Sequence, residues 1–253
     1  MRVALKFAYN GKNFYGYARQ PKYRTIEQNL LDLLIEQRII NDTKTAFFRT
    51  ASRTDRSVSA LGNVCSFDTD KIVTKKTILE LLTNKISDVY IYGVQFVKPD
   101  FYPRHAIRRE YRYYLKRDNL DFDTLLSTAA LFTGKHNFRN FARIEPMKNP
   151  VRTIDHIIIE EKKDFLIFDF YAQTFLWNQI RRIMSALEKR GKKVLSKEQI
   201  FAALEHPQKK VDFQIADPEP LILKNVMYNI SFEYLSNYKK NLQILEKEIV
   251  ESL

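Results

Sequence analysis

Apolar residues recur at every second position over Val3, Leu5, Phe7 and Tyr9, the signature of a strand, and Asn10-Gly11 marks the turn that ends it. Thr25 with Gln28 three residues later reads as a capping box. The helix it opens carries Ile26, Leu30, Leu33 and Leu34 on one face. A short strand is predicted over 46–48. A longer one starts at Asn63, with Asn63, Cys65 and Phe67 on one side and Val64 and Ser66 on the other. Ile78, Leu79, Leu81 and Leu82 predict a second helix, and 89–97 another strand. The run 98–103 then interrupts all periodicity with Pro99 and Pro103, so the chain is divided into halves 1–98 and 99–253.

The second half resumes with a strand over about 109–115. A helical stretch contains Leu125, Leu126, Ala129, Ala130 and Leu131 and stops at Gly134. Strands are predicted near 153–160 and 165–171. A long amphipathic helix over 176–190 turns Ile180, Ile183, Met184 and Leu187 inward, with Gly191 just past its end. Ser196 with Gln199 caps a further helix, Val226, Tyr228, Ile230 and Phe232 alternate as a last strand, and the tail from Tyr238 is helical in pattern. Strands and helices mixed in this way define an α+β chain. The expectation is a mixed or antiparallel sheet with helices on one face and the other face open to a large ligand.

Composition narrows the function classes. At 253 residues and 45% hydrophobic, the chain is long enough for a sizeable core. Its 18 Phe and 14 Tyr exclude a chain that stays solvated. A lone cysteine, Cys65, excludes an internal disulfide framework and multi-cysteine metal sites, and it fits a reducing, cytosolic compartment. In its strand it reads as a buried small hydrophobe. No apolar run approaches the roughly 18 residues that span a bilayer, and the first residues alternate as a strand rather than forming a signal-peptide core. Lys and Arg number 42 against 30 Asp and Glu, a net charge of +12. That points to a polyanionic partner, with nucleic acid competing against an acidic membrane surface and plain basic solubility.

The densest polar cluster is Arg49-Thr50-Ala51-Ser52-Arg53-Thr54-Asp55-Arg56-Ser57-Val58-Ser59-Ala60, a loop between predicted strands, where catalytic groups usually sit. Arg53 and Asp55 face either a substrate or each other; a simple Arg–Asp staple is the competing reading. Arg104, Arg108, Arg109 and Arg112 crowd one segment, as phosphate contacts or as a solvated basic face. Tyr111 and Tyr113 share one side of their strand, with Tyr113 the better core candidate. His105, His136, His156 and His206 form no metal-ligand spacing. No G-x-G-x-x-G or G-x-S-x-G is present.

Ser52-Arg53-Thr54-Asp55-Arg56-Ser57-Val58-Ser59-Ala60 resembles the G-R-T-D-x-G-V-H-A signature of the TruA family of tRNA pseudouridine synthases. Six further segments resemble that family's motifs in the right order. They are Tyr9-Asn10-Gly11-Lys12-Asn13-Phe14-Tyr15-Gly16-Tyr17, Thr25-Ile26-Glu27, Arg109-Glu110-Tyr111-Arg112-Tyr113, Phe132-Thr133-Gly134-Lys135-His136-Asn137-Phe138, Phe175-Leu176 through Ile180-Arg181, and Pro218-Glu219-Pro220-Leu221. Ser52 and Ser57 stand where the pattern has glycine, Ser59 where it has histidine, Arg56 where it has a small or basic residue and Pro220 where it has glycine. Ser59 in V-S-A-L-G-N resembles archaeal members. If position 57 needs a positive φ, serine there costs on the order of 1 kcal/mol.

The resemblance implies a pseudouridine-synthase-like fold of two similar α/β-sandwich halves joined through a mixed or antiparallel sheet, with an RNA-binding cleft. It implies a cofactor-free and metal-free isomerase, an intramolecular transferase. The expected substrate is tRNA, at positions 38–40 of the anticodon stem-loop, and the expected state is a cytoplasmic homodimer. Asp55 becomes the essential carboxylate, a nucleophile at C1′ or C6 or a base on the sugar. Arg53 or Arg181 holds it ionised by charge pairing. Arg182 is then the solvated member of the Arg181-Arg182 pair. Tyr111 stacks on the extruded uracil, Leu221 walls its pocket, and Arg104, Arg108 and Arg112 contact phosphate. The alternatives are a non-catalytic RNA-binding protein on this scaffold, against which Asp55, Arg53, Tyr111 and Arg181 argue, and a synthase whose RNA target is shifted by the departures above. A DNA-binding or chaperone-like protein is opposed by the lack of any helix-turn-helix or zinc-finger pattern.

Overall fold

A computed structural model describes residues 1–253. In chain order, the first part comprises β1 (Arg2–Tyr9), α1 (Ile26–Glu36), β2 (Arg49–Thr50), β3 (Ser59–Asp68), α2 (Lys75–Leu82) and β4 (Val89–Val97). The middle part holds β5 (Arg108–Lys116), α3 (Phe122–Ala129), β6 (Gly134–Asn137), β7 (Val151–Ile154), β8 (His156–Glu161), β9 (Phe165–Ala172), α4 (Gln179–Gly191) and α5 (Lys197–Glu205). The last part is β10 (Leu221–Met227), β11 (Glu233–Tyr234) and α6 (Tyr238–Glu251). The α+β expectation is met.

Two compact units form, and they do not divide the chain once. The first unit is Met1–Ile107 with Ile222–Leu253; the second is Arg108–Leu221. The sequence-based cut after residue 98 therefore leaves out both 99–107 and the returning C-terminal segment. The physical reason is long-range pairing. β10 runs parallel to β3, with Ile222 opposite Ser59, and β11 lies antiparallel on β4, with Glu233 opposite Val94. Nothing local in the sequence announces either partner.

In the first unit β1 lies between β3 and β4, antiparallel to both, and the parallel β10 makes the sheet mixed. All eight residues of β1 are buried, so alternation does not leave an open polar face here. The polar members extend their charged ends to partners. Arg2 donates to Asp68 Oδ1 at 2.7 Å and Ser66 Oγ at 2.9 Å, and Lys6 Nζ to Asn225 Oδ1 at 2.6 Å. Val3, Leu5, Phe7, Val64 and Phe67 fill the core around them. The α1 cap differs from expectation. The Thr25 side chain makes no capping bond and Gln28 bonds Asp32 at 2.7 Å. Backbone carbonyls take that role: Ile26 N–H donates to Gly16 O and Glu27 N–H to Tyr17 O, so the preceding loop satisfies the first orphan donors.

The predicted strand over 46–48 is a turn instead. The Asp42 carboxylate accepts from Lys44 N and Thr45 N, Phe47 has φ +44°, and pairing begins only at Arg49. The strand predicted over 226–232 does not form as one: β10 stops at Met227, and β11 begins only at Glu233.

In the second unit β9 is flanked antiparallel by β5 and β8, and β6 pairs with β7. Ile183, Met184 and Leu187 of α4 are fully buried, as are Leu125, Phe132, Phe141 and Phe168. α4 starts at Gln179, three residues later than predicted, because Asn178 takes φ +59°. The Ser196/Gln199 capping box forms as expected.

Candidate active site

Asp55 sits on the loop that leads from β2 into β3, and that loop is fixed from below by buried polar side chains. Asn63, fully buried on β3, donates through Nδ2 to Ser52 O at 2.9 Å and accepts Val64 N–H at 2.9 Å. Tyr9 of β1 shares a 2.8 Å hydrogen bond with Thr54 Oγ1, and Ala51 N–H donates to Val64 O at 2.8 Å. Buried hydrogen bonds of this kind hold a loop in one conformation, since breaking one leaves an unsatisfied group.

The opening motif and the Arg53-Thr54-Asp55 loop prove to be one packing unit. Tyr17 N–H donates to Thr54 O at 3.1 Å, and Gly11 N–H to Ser59 Oγ at 3.0 Å. A Cβ on Gly11 would lie 2.3 Å from Val58 O, and Gly16, at φ +90°, is 3.2 Å from Arg56 N by the same test. Both glycines are needed for this close approach. Val58 N–H donates to Asp55 O at 3.2 Å, closing a turn whose third residue, Ser57, has φ +66°. Serine therefore occupies the backbone conformation that the family pattern fills with glycine.

Asp55 is half-buried and Arg53 is exposed, and no ion pair joins them. The structure therefore shows no Arg53–Asp55 staple across this turn. Cys65 is fully buried behind the loop and burial pushes its thiol far up, as a small core residue requires.

The second unit holds the other predicted residues. Tyr111 is half-buried on β5, its ring edge-on to Phe175 at 5.3 Å. Tyr113 is 3% exposed, donates to Asp217 O at 3.2 Å, and has its hydroxyl pushed up by burial, which makes it the core tyrosine. Arg181 lies in the first turn of α4. Its Nε donates to Ala216 O at 2.8 Å and its carbonyl accepts Ala216 N–H. Arg182 is not simply solvated, because it pairs with Asp212 at 2.8 Å. Leu221 is buried and closes a turn on Pro218 O, while Pro220 O accepts Tyr114 N–H at 3.1 Å. The 212–221 segment is thus pinned at one end by α4 and at the other by β5.

The predicted phosphate-contact arginines separate. Arg104 is exposed, and Arg108 places its guanidinium 5.4 Å over the Tyr171 ring. Arg112 makes a bidentate pair with Asp169 directly across β9, both bonds 2.8 Å, and that pairing raises its already high pKa. Its guanidinium is engaged within the sheet. The sequence places Tyr9 and Asn63 only on strands and Thr54 only in the polar cluster; their anchoring of the loop comes from long-range packing that no local pattern shows. No group of three or more His, Cys, Asp or Glu side chains could hold a metal, and no helix is long and apolar enough to cross a membrane.

A half-buried carboxylate on a loop anchored by buried hydrogen bonds, with the exposed Arg53 and Arg56 beside it in the chain, is the candidate active site of this α+β scaffold. A family model described as tRNA pseudouridine synthase matches residues 128–229. The chain is 42% identical to tRNA pseudouridine synthase A of Thermococcus sibiricus over 237 residues, 92% of this chain and 87% of that protein. It is 38% identical to the protein of that name from Pyrococcus furiosus, covering 99% and 92%, and 39% identical to that of Methanosphaera stadtmanae, covering 98% and 92%. The chain belongs to the tRNA pseudouridine synthase A family.

Proposed function

We propose that this chain isomerises uridine to pseudouridine in tRNA, at positions 38–40 of the anticodon stem-loop, as a cofactor-free intramolecular transferase. The observation that carries the reading is Asp55, held on a loop whose every anchor is buried, in a chain of this family. The reaction breaks the C1′–N1 bond and forms C1′–C5; C5 gives up a proton and N1 gains one. No electrons are exchanged with another molecule, so one carboxylate and a shaped pocket suffice. Asp55 is the essential carboxylate. Tyr111 is assigned the stacking surface for the extruded uracil, Leu221 a wall of its pocket, and Arg181 the cation. Arg104 and Arg108 are phosphate contacts, in keeping with the +12 charge. A homodimer in the cytoplasm completes the proposal.

The test is incubation of the chain with unmodified tRNA transcripts followed by position-resolved pseudouridine mapping. Pseudouridine at 38, 39 or 40 is the expected result. Product only elsewhere would refute the target, and none at all the activity.

A further inference from the structure

Three side chains, one of them on the residue that follows Asp55, form a stack that the reaction itself does not require. The Arg56 guanidinium lies 4.1 Å from the Tyr15 ring centroid, and the Tyr23 ring stacks on Tyr15 at 4.2 Å with 23° between planes. Two groups that close to one centroid cannot share a face, so Tyr15 is sandwiched between them. Arg56 is the residue next to Asp55, and the positive φ of Ser57 sets the turn that carries it. The other side of the stack is equally fixed. Tyr15 N–H donates to Arg24 O at 2.9 Å and Gln20 Nε2 to Tyr15 O at 2.6 Å, which brings Tyr23 back alongside Tyr15.

Yet the stack is not core. Tyr15 is 40% exposed, Tyr23 48%, and Arg56 is exposed and forms no ion pair. No Asp or Glu occurs from Asn10 through Ile26, while Lys12, Arg19, Lys22 and Arg24 do. Ordering two tyrosines and an arginine at the surface costs side-chain entropy and gains little burial. Arg24 is paired with Asp88 at 3.1 Å and Glu27 accepts Arg19 N–H at 3.2 Å, which leaves the Arg56 guanidinium as the cation of the stack without an acidic partner. A cation stacked on exposed aromatic rings matches a nucleotide: the rings meet a base, the guanidinium a phosphodiester.

We propose that Tyr23, Tyr15 and Arg56 are a positioning stack for an unpaired nucleotide flanking the target uridine, Tyr23 stacking on its base and Arg56 contacting its phosphate. This rests on the isomerase reading above. Extruding one uridine unstacks its neighbour, and a ready aromatic surface would hold that neighbour in place.

The experiment compares the full chain with Tyr23→Ala, Tyr23→Phe, Arg56→Ala and Arg56→Lys. It measures tRNA-transcript affinity at several salt concentrations, KM, kcat and melting temperature. Tyr23→Ala should raise Kd and KM about 5- to 150-fold with kcat little changed, and Tyr23→Phe should restore both. Arg56→Ala should lower the slope of log affinity against log salt by about 0.7, and Arg56→Lys should keep it. Melting temperatures should not move; if alanine lowers them, Tyr23→Leu keeps apolar bulk and should still lose affinity. Unchanged affinity in Tyr23→Ala and Arg56→Ala overturns the proposal. So does a Tyr23→Phe defect equal to that of alanine, or a change in oligomeric state with RNA affinity intact. A wild-type chain that makes no pseudouridine but loses tRNA affinity on Tyr23→Ala would sink the isomerase reading and leave the stack standing.

Discussion

Ser57→Gly should stabilise this protein, although most substitutions near a catalytic loop do the opposite. Ser57 is the third residue of the turn closed by Val58 N–H on Asp55 O, and its φ is +66°. A type II turn reserves that position for Gly or Asn. An L-residue in the left-handed region pays about 1–2 kcal/mol relative to glycine. Glycine returns about 0.5–1 kcal/mol of that through the greater freedom of its unfolded chain. The balance is a gain of about 0.5–1 kcal/mol, which at this chain length raises the midpoint by about 1–4 °C. Ser57→Asn should be near neutral, because Asn tolerates the left-handed region. Ser57→Val should lower the midpoint clearly, since a branched Cβ fits worst there. Scanning calorimetry of the four proteins at one pH and salt gives the ranking. A Ser57→Gly protein less stable than wild type, or a Ser57→Val protein equal to it, would refute the conformation assigned to this turn.

Tyr113→Ala should cost about 3–5 kcal/mol of stability as a large-to-small core change, whereas Tyr111→Ala should mainly lose uridine capture; denaturant titration beside single-turnover kinetics separates the two. Arg104→Ala and Arg108→Ala should each lower the salt slope of tRNA binding by about 0.7–0.9, while Arg112→Ala should instead destabilise the chain by about 2–4 kcal/mol by stranding Asp169; an Arg112 effect on the slope alone would contradict its pairing. Cys65 should resist thiol reagents in the native state at pH 8 and react on unfolding, since burial both raises its pKa and blocks access; labelling at the rate of a free thiol would count against this core.

The contrast between Arg112 and Ser57 shows what a sequence reveals. Ser57 was suspect from the motif alone, because backbone conformation is a local property and a glycine pattern reports it. Arg112 reads from sequence as a phosphate contact in an arginine cluster, because its partner Asp169 lies 57 residues away across a strand pair. The same limit explains the domain division. The breaks at Pro99 and Pro103 are real local signals, but β10 returns to pair with β3 from more than 150 residues away. The strand over 46–48 failed for a local reason, the Asp42 carboxylate capturing the next amides, which propensity weighs too little. The Thr25 cap failed for a tertiary one, because carbonyls from Gly16 and Tyr17 were already in place. Long periodic stretches such as α4 and β9 needed no partner to be legible.

The most direct test of the central claim is Asp55→Asn assayed by pseudouridine mapping on tRNA transcripts, with RNA affinity and melting temperature measured on the same preparation. Losing the essential carboxylate should reduce turnover by at least about two orders of magnitude while affinity and melting temperature stay near wild type, because phosphate contacts carry binding and buried neighbours carry the loop. Turnover within about tenfold of wild type would contradict the account.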